Sequence, residues 1–144
     1  MPGPFRRPES VLVVVYTETG ECLVLKRVQP PDFWQSVTGT LDWDETPASA
    51  AAREVREETG LDPAGLRDSG IREAFPILPA WRARFAPEVT ENVEYRWYLP
   101  IPERTDVTLN PAEHTDYEWL PIEDAILRVA SWTNRHALMQ LRRP

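Results

Sequence analysis

Between Thr46 and Gly60 the chain carries its clearest structural signal, a helix with both ends marked. Thr46 followed by Pro47 reads as a start. The threonine hydroxyl can take a free helix N–H, and proline's fixed φ suits the first helical position. Gly60 reads as the stop, because glycine readily takes the left-handed conformation that ends a helix. At about 100° per residue, Ala48, Ala51, Ala52 and Val55 gather on one side and Glu54, Glu57 and Glu58 on the other. Such a helix has to lay its small-residue side on a flat partner, and a β-sheet is the natural one.

The rest of the chain supplies strands. Ser10 to Tyr16 is a β-branched run typical of a buried strand. Glu18 to Glu21 reads as a turn and Cys22 to Val28 as the returning strand of a hairpin. Gln29-Pro30-Pro31-Asp32 is a loop, followed by a short apolar stretch from Phe33 to Val37. Ile71 to Leu78, Val93 to Ile101 and Tyr117 to Leu120 read as further strands. Ile122 to Ala130 suggests a short helix, and Ser131 can cap a last helix from Trp132 to Leu141. Strands and helices mix without regular βαβ spacing, so the expected class is α+β, or α/β with a mixed sheet. With 144 residues and 42% apolar content, the expectation is a single domain over 1–144.

Charge and composition exclude several roles. A net charge of −7 leaves no basic surplus for a long nucleic-acid backbone. A small polyanion is still possible if divalent metal builds a local cationic site. No apolar stretch approaches a membrane span, Met1 to Ser10 lacks a signal core, and the lone Cys22 cannot form an internal disulfide. A soluble, cytoplasmic protein is expected. Lys26 is the one lysine among the basic residues, which we read as codon bias.

The acidic side of the helix has two readings. Like charges at i, i+3 and i+4 repel, and they sit towards the helix end whose dipole disfavours anions. Arg53 and Arg56 allow an ordinary solvated face. Alternatively, a hard divalent cation relieves the repulsion; oxygen ligands suit Mg²⁺ or Mn²⁺, with other positions left for water and phosphate. The helix alone does not choose. Its setting does: Gly39, five residues, Glu45, seven residues, then Arg53-Glu54-Val55-Arg56-Glu57-Glu58-Thr59-Gly60-Leu61. This resembles a complete Nudix box, with every defined position matched. On this reading Gly39 permits a tight loop before the helix, Glu45 ties that loop to free helix N–H groups, and Arg53 holds a carboxylate by a bidentate contact.

The likeness extends to Arg6-Arg7-Pro8, Pro31 to Gly39, Phe85-Ala86-Pro87, Glu113-His114 and Ser131-Trp132 with Asn134-Arg135. These segments are similar to the dihydroneopterin triphosphate diphosphatase branch, folate-pathway enzymes also described as dATP pyrophosphohydrolases. The resemblance implies a mixed β-sheet between helices and a Mg²⁺-dependent cut between the α- and β-phosphates of a small-molecule triphosphate. It implies metal on Glu54, Glu58 and Glu113, with Glu57 as a further ligand or base. Glu57, Glu113 and Arg53 become the catalytic candidates. Arg6, Arg27, Thr38 and Ser131 become substrate contacts, and more weakly the stretch Phe75 to Leu78.

Plainer readings stand beside these. Trp34 is a core residue or a stacking platform, Arg27 an edge-strand charge, Ser131 only a helix cap, and Glu113 an ordinary loop acid. Asp42-Trp43-Asp44 departs from the usual loop, so Trp43 bears on base preference. Two other functions remain: a housecleaning hydrolase of nucleotides or dinucleoside polyphosphates, and a non-catalytic nucleotide sensor. Both monomer and homodimer are compatible with the sequence.

Overall fold

The computed structural model describes residues 4–142. Its centre is a seven-stranded mixed sheet. Strands β1 (Glu9–Thr17) and β2 (Glu21–Arg27) form the expected hairpin, turning at Gly20. β1 then pairs in parallel along its whole length with β6 (Glu91–Ile101). Its other edge is shared between β2 and β4 (Val37–Thr40). β2 pairs with β7 (His114–Pro121) on one side and with β3 (Trp34–Gln35) on the other. β5 (Arg67–Pro76) closes the far edge against β6.

β1 explains the layering. Its residues alternate faces, yet Val11 to Val15 are all buried, so both faces are covered. Val11, Val13 and Val15 pack with Ala50, Ala51 and Val55 of helix α1 (Pro47–Thr59). Leu12 and Val14 face Ala125, Ala137 and Leu138 of helices α2 (Ile122–Arg128) and α3 (Trp132–Leu141). The result is a mixed sheet between helices, the α+β architecture expected. Cys22 is a buried core residue, as expected of a free cysteine with no partner.

Several boundaries differ from the sequence reading for identifiable reasons. α1 is capped as expected: Thr46 accepts the Ser49 N–H at 3.1 Å, and Gly60 sits at φ 74°. Its packing side is rotated, however. Ala50 is buried and Ala48 is exposed. β5 begins at Arg67, ahead of Ile71, and an irregularity around Gly70 (φ 73°) keeps this polar strand paired. β7 begins at His114, since pairing with β2 recruits a polar segment that periodicity leaves out. A 3₁₀ turn over Pro79–Arg84 was not expected. Among the described residues no helix is long and apolar enough to cross a membrane.

The end of α1 provides a direct check. A Cβ at Gly60 would need a left-handed backbone and would lie 3.3 Å from Thr108 Cβ. Gly60→Ala is expected to cost about 1–3 kcal/mol, read as a lower denaturant midpoint with an unchanged m-value. An unchanged midpoint would mean that this turn does not terminate the helix.

Candidate active site

The three helix glutamates of the box do not share one environment. Glu54 and Glu58 turn inward and are 8% and 2% exposed, whereas the Glu57 side chain is about half exposed, at 52%. Gly39 makes the inward turn possible. It lies in β4 with no left-handed φ, so its role is not to permit a loop. A Cβ there would fall inside the Glu54 carboxylate. Glycine is required for close approach of helix and strand.

Arg53 organises the acids around it. Its Nε and Nη2 donate to the two Glu45 oxygens, each at 2.7 Å. Its Nη1 donates to Glu54 at 3.1 Å and to Glu57 at 2.9 Å, and Nη2 also reaches the Thr40 carbonyl at 3.2 Å. Glu45 therefore grips Arg53 and the Asp42 N–H rather than the helix N–H groups expected of it. The Arg53 hydrogen bonds hold Glu45 below the usual carboxylate range despite its partial burial. Arg7 fixes the same loop from the strand side. Its Nη1 meets the carbonyls of Asp42, Trp43 and Glu45, and its Nε pairs with Glu9. Trp43 stays 46% exposed and donates to the Phe5 carbonyl.

Burial dominates the electrostatics of the inward pair. It raises Glu54 to about 7, while a hydrogen bond with Glu58 and the Arg53 charge oppose the rise. Glu58 is pushed well above the ordinary range by burial and then by the Glu54 charge, against a hydrogen bond from the Thr38 backbone. Glu58 Oε1 is buried with no hydrogen-bond partner among the described residues. Two buried carboxylates, one with an orphaned oxygen, suit a hard divalent cation, which would favour both ionised forms. Glu113 lies on an exposed turn before β7, and its charge also bears on both. Among the described residues no three such side chains stand at cation-ligating geometry.

Cations border the pair. Arg6 donates to the Thr40 hydroxyl at 3.3 Å, and its backbone N–H donates to the Arg84 carbonyl. Burial and then the charges of Arg84 and Arg27 lower its pKa, while Glu113 and Glu54 oppose that. Arg27 is likewise lowered, first by burial. It is not an edge-strand charge, because β2 is paired on both sides. Its guanidinium lies 6.0 Å from the Phe33 ring and 5.8 Å from the Trp81 ring. Arg84 and Trp81 were not foreseen, since the 3₁₀ turn that delivers them has no periodic pattern.

Of the other candidates, Thr38 meets Glu58 through its backbone, while its side chain turns away. Thr38 donates its hydroxyl to the Val11 carbonyl. Ser131 caps α3 by accepting the Asn134 N–H, and its hydroxyl also meets Thr133. In the Phe75 to Leu78 stretch, Ile77 is buried and Leu78 is exposed beyond the strand. Trp34 is half-buried on the α2 side, packed against that core with Arg128 over its ring. A groove of about 660 Å³ between β5 and α3 holds none of the box glutamates.

A helix presenting buried glutamates to a strand glycine, with an arginine clamp behind, defines a class of phosphate-handling protein. The NUDIX domain family model matches residues 6–141, and the chain belongs to the Nudix hydrolase family. Members generally use divalent metal ions. The chain is 40% identical to dihydroneopterin triphosphate diphosphatase of Escherichia coli K12, covering 94% of this chain and 93% of that one. It is 38% identical to the Haemophilus influenzae enzyme of the same name, over 93% and 87%. The solved E. coli dihydroneopterin triphosphate pyrophosphohydrolase superposes with a TM-score of 0.88, covering 94% of this chain and 95% of that one.

Two outcomes test this geometry. Gly39→Ala is expected to displace the Glu54 carboxylate and weaken divalent-cation binding at least about tenfold, as for other disturbed ligand shells, with the circular dichroism spectrum retained. Calorimetric titration with Mn²⁺ measures it, and unaltered affinity would contradict the assigned contact. The second outcome concerns pH. A carboxyl raised from 4.5 to about 7 in the fold keeps a proton that the unfolded chain has lost. Its stabilising contribution is complete below about pH 4.5 and is lost as pH rises through about 7. Without divalent metal, Glu54→Gln should therefore gain stability relative to wild type between about pH 5 and pH 8. A pH-independent difference in denaturant midpoint would refute the raised pKa.

Proposed function

We propose that this protein is a Mg²⁺-dependent pyrophosphohydrolase acting on dihydroneopterin triphosphate, and on dATP-like triphosphates, in folate biosynthesis. The products are the monophosphate and pyrophosphate. The observation that carries this reading is the buried Glu54–Glu58 pair bordered by Arg6 and Arg27, with Arg84 beside both arginines. Similarity over nearly the full length to two curated enzymes of that specificity supports it over a general nucleotide hydrolase. The intact carboxylate set supports an enzyme over a sensor.

Glu54, Glu58 and Glu113 are the residues that would hold a divalent cation. When bound, Mg²⁺ or Mn²⁺ supplies charge for the phosphate oxygens and lowers the pKa of water. Arg53 keeps Glu54 in place and at the same time restrains Glu57. Glu57 and Glu113, both exposed, would accept the proton of the attacking water on this reading. Arg6, Arg27 and Arg84 would stabilise charge on the leaving pyrophosphate. Thr38 and Ser131 line the substrate path on this reading.

Pyrophosphate release should be measured over a panel of triphosphates, with and without Mg²⁺. Dihydroneopterin triphosphate is expected to give the highest kcat/KM, and omission of metal should abolish turnover. Glu54→Gln and Glu58→Gln should each lose at least about 100-fold in kcat, the scale of one lost charge-stabilising group, with the fold retained. Near-wild-type rates in both variants at saturating Mg²⁺ would refute the carboxylate roles.

A further inference from the structure

The catalytic glutamates lie on the α1 face of the sheet, while the opposite face carries a buried polar layer that hydrolysis does not use. Apolar packing there includes Leu12 and Val14 of β1 and Tyr98 of β6. Strand alternation puts Ser10, Asn92, Glu94 and Arg96 on the same face, nearer the start of the two strands. Most of this layer is internally satisfied. Asn92 donates to the Ser10 hydroxyl at 2.8 Å, and Arg96 pairs with Glu73 at 2.7 Å and with Gln140 at 2.9 Å. Glu94 is different. It is 9% exposed, accepts a hydrogen bond from Thr133 at the start of α3, and has no ion pair among the described residues. A buried carboxylate with so little compensation is costly to keep, unless a ligand satisfies it.

Its position points towards the substrate. Glu94 faces Ser10 across β6 and β1, and Ser10 faces Thr40 across β1 and β4. The Thr40 hydroxyl accepts from Arg6, the arginine beside the catalytic acids. Two strand spacings, about 10 Å, thus separate Glu94 from the phosphate end, which is comparable to the span from phosphate to ring in a nucleotide.

Resting on the hydrolase reading above, we propose that Glu94 reads the substrate's ring, accepting the two adjacent N–H donors of a 2-amino-4-oxopyrimidine edge. A pterin presents that edge, a ring N–H beside an exocyclic amine, and guanine shares it. An ionised carboxylate accepts both in parallel. Adenine offers one amine beside a ring nitrogen that itself accepts, so an ionised carboxylate is a poor match and a protonated one a good match. Burial raises Glu94 to about 7, against the Thr133 hydrogen bond and the Arg96 charge and with the Glu73 charge. The groups facing it are Arg96 on β6, Glu73 on β5 with His136 of α3 beside that glutamate, and uncharged Ser10 on β1. Ring preference should therefore tilt towards the pterin as pH rises through 7.

The test is a ratio. kcat/KM for dihydroneopterin triphosphate and for dATP is measured in the wild-type enzyme and in Glu94→Gln, whose amide can both donate and accept. The pterin substrate should lose about 100-fold, in line with one bidentate contact, and dATP less than fivefold. A ratio that stays constant, even with both rates reduced, overturns the proposal, since loss of structure alone lowers both together. Should the variant fail to fold, wild-type rates with dGTP and dITP decide. Loss of the 2-amino group should lower kcat/KM about tenfold, and equal rates overturn the assignment. Absence of any turnover of dihydroneopterin triphosphate by the wild type would count against the hydrolase reading, while dGTP against dITP would still judge Glu94.

Discussion

One guanidinium holds the catalytic half of this molecule together. Arg53 spreads its donors over Glu45 in the preceding loop, Glu54 and Glu57 on its own helix, and the Thr40 carbonyl at the end of β4. Without it, three carboxylates would crowd the junction of loop, helix and strand with nothing to offset their repulsion. With it, Glu45 is anchored and Glu57 restrained, while Glu54 is left to turn inward over Gly39. The clamp leaves Glu58 alone. That residue keeps one bare buried oxygen, and it is where the need for added positive charge is greatest.

β1 joins this centre to the rest of the fold. It is buried on both faces, pairs in parallel with β6, and shares its other edge between two partners. One face presses against α1 and so backs the carboxylates. The other face carries the polar row from Thr40 through Ser10 to Glu94. Phosphate chemistry and ring selection thus sit on opposite sides of one thin layer, connected at the end of β4 where Arg6 reaches Thr40.

Features governed by local rules were legible in the sequence. The caps at Thr46 and Gly60, the hairpin and the Ser131 cap are local, and so is the spacing from Gly39 to Leu61. What depends on the tilt of one element against another was not. Glu54, Glu57 and Glu58 share a helical side on paper, but the roll of α1 buries two and exposes the third. The role of Gly39 was misread as a loop requirement because the strand it occupies is set by pairing with β1. Arg84 and Trp81 arrive on a short 3₁₀ turn without periodic signal. Glu94 was not singled out: it alternates with apolar neighbours in Val93-Glu94-Tyr95-Arg96-Trp97, and nothing local shows that its side of the strand is buried.

The near-absence of lysine acquires a structural meaning in this setting. Arg7 serves three loop carbonyls and a carboxylate with one planar head, and Arg53 serves three carboxylates and a carbonyl. An ammonium group has three donors and no plane, so it reaches fewer of these acceptors at once. The rigidity of the loop before α1 therefore resides in the flatness of two side chains. Exchanging one positive residue for the other at either position would preserve the charge while letting the loop drift.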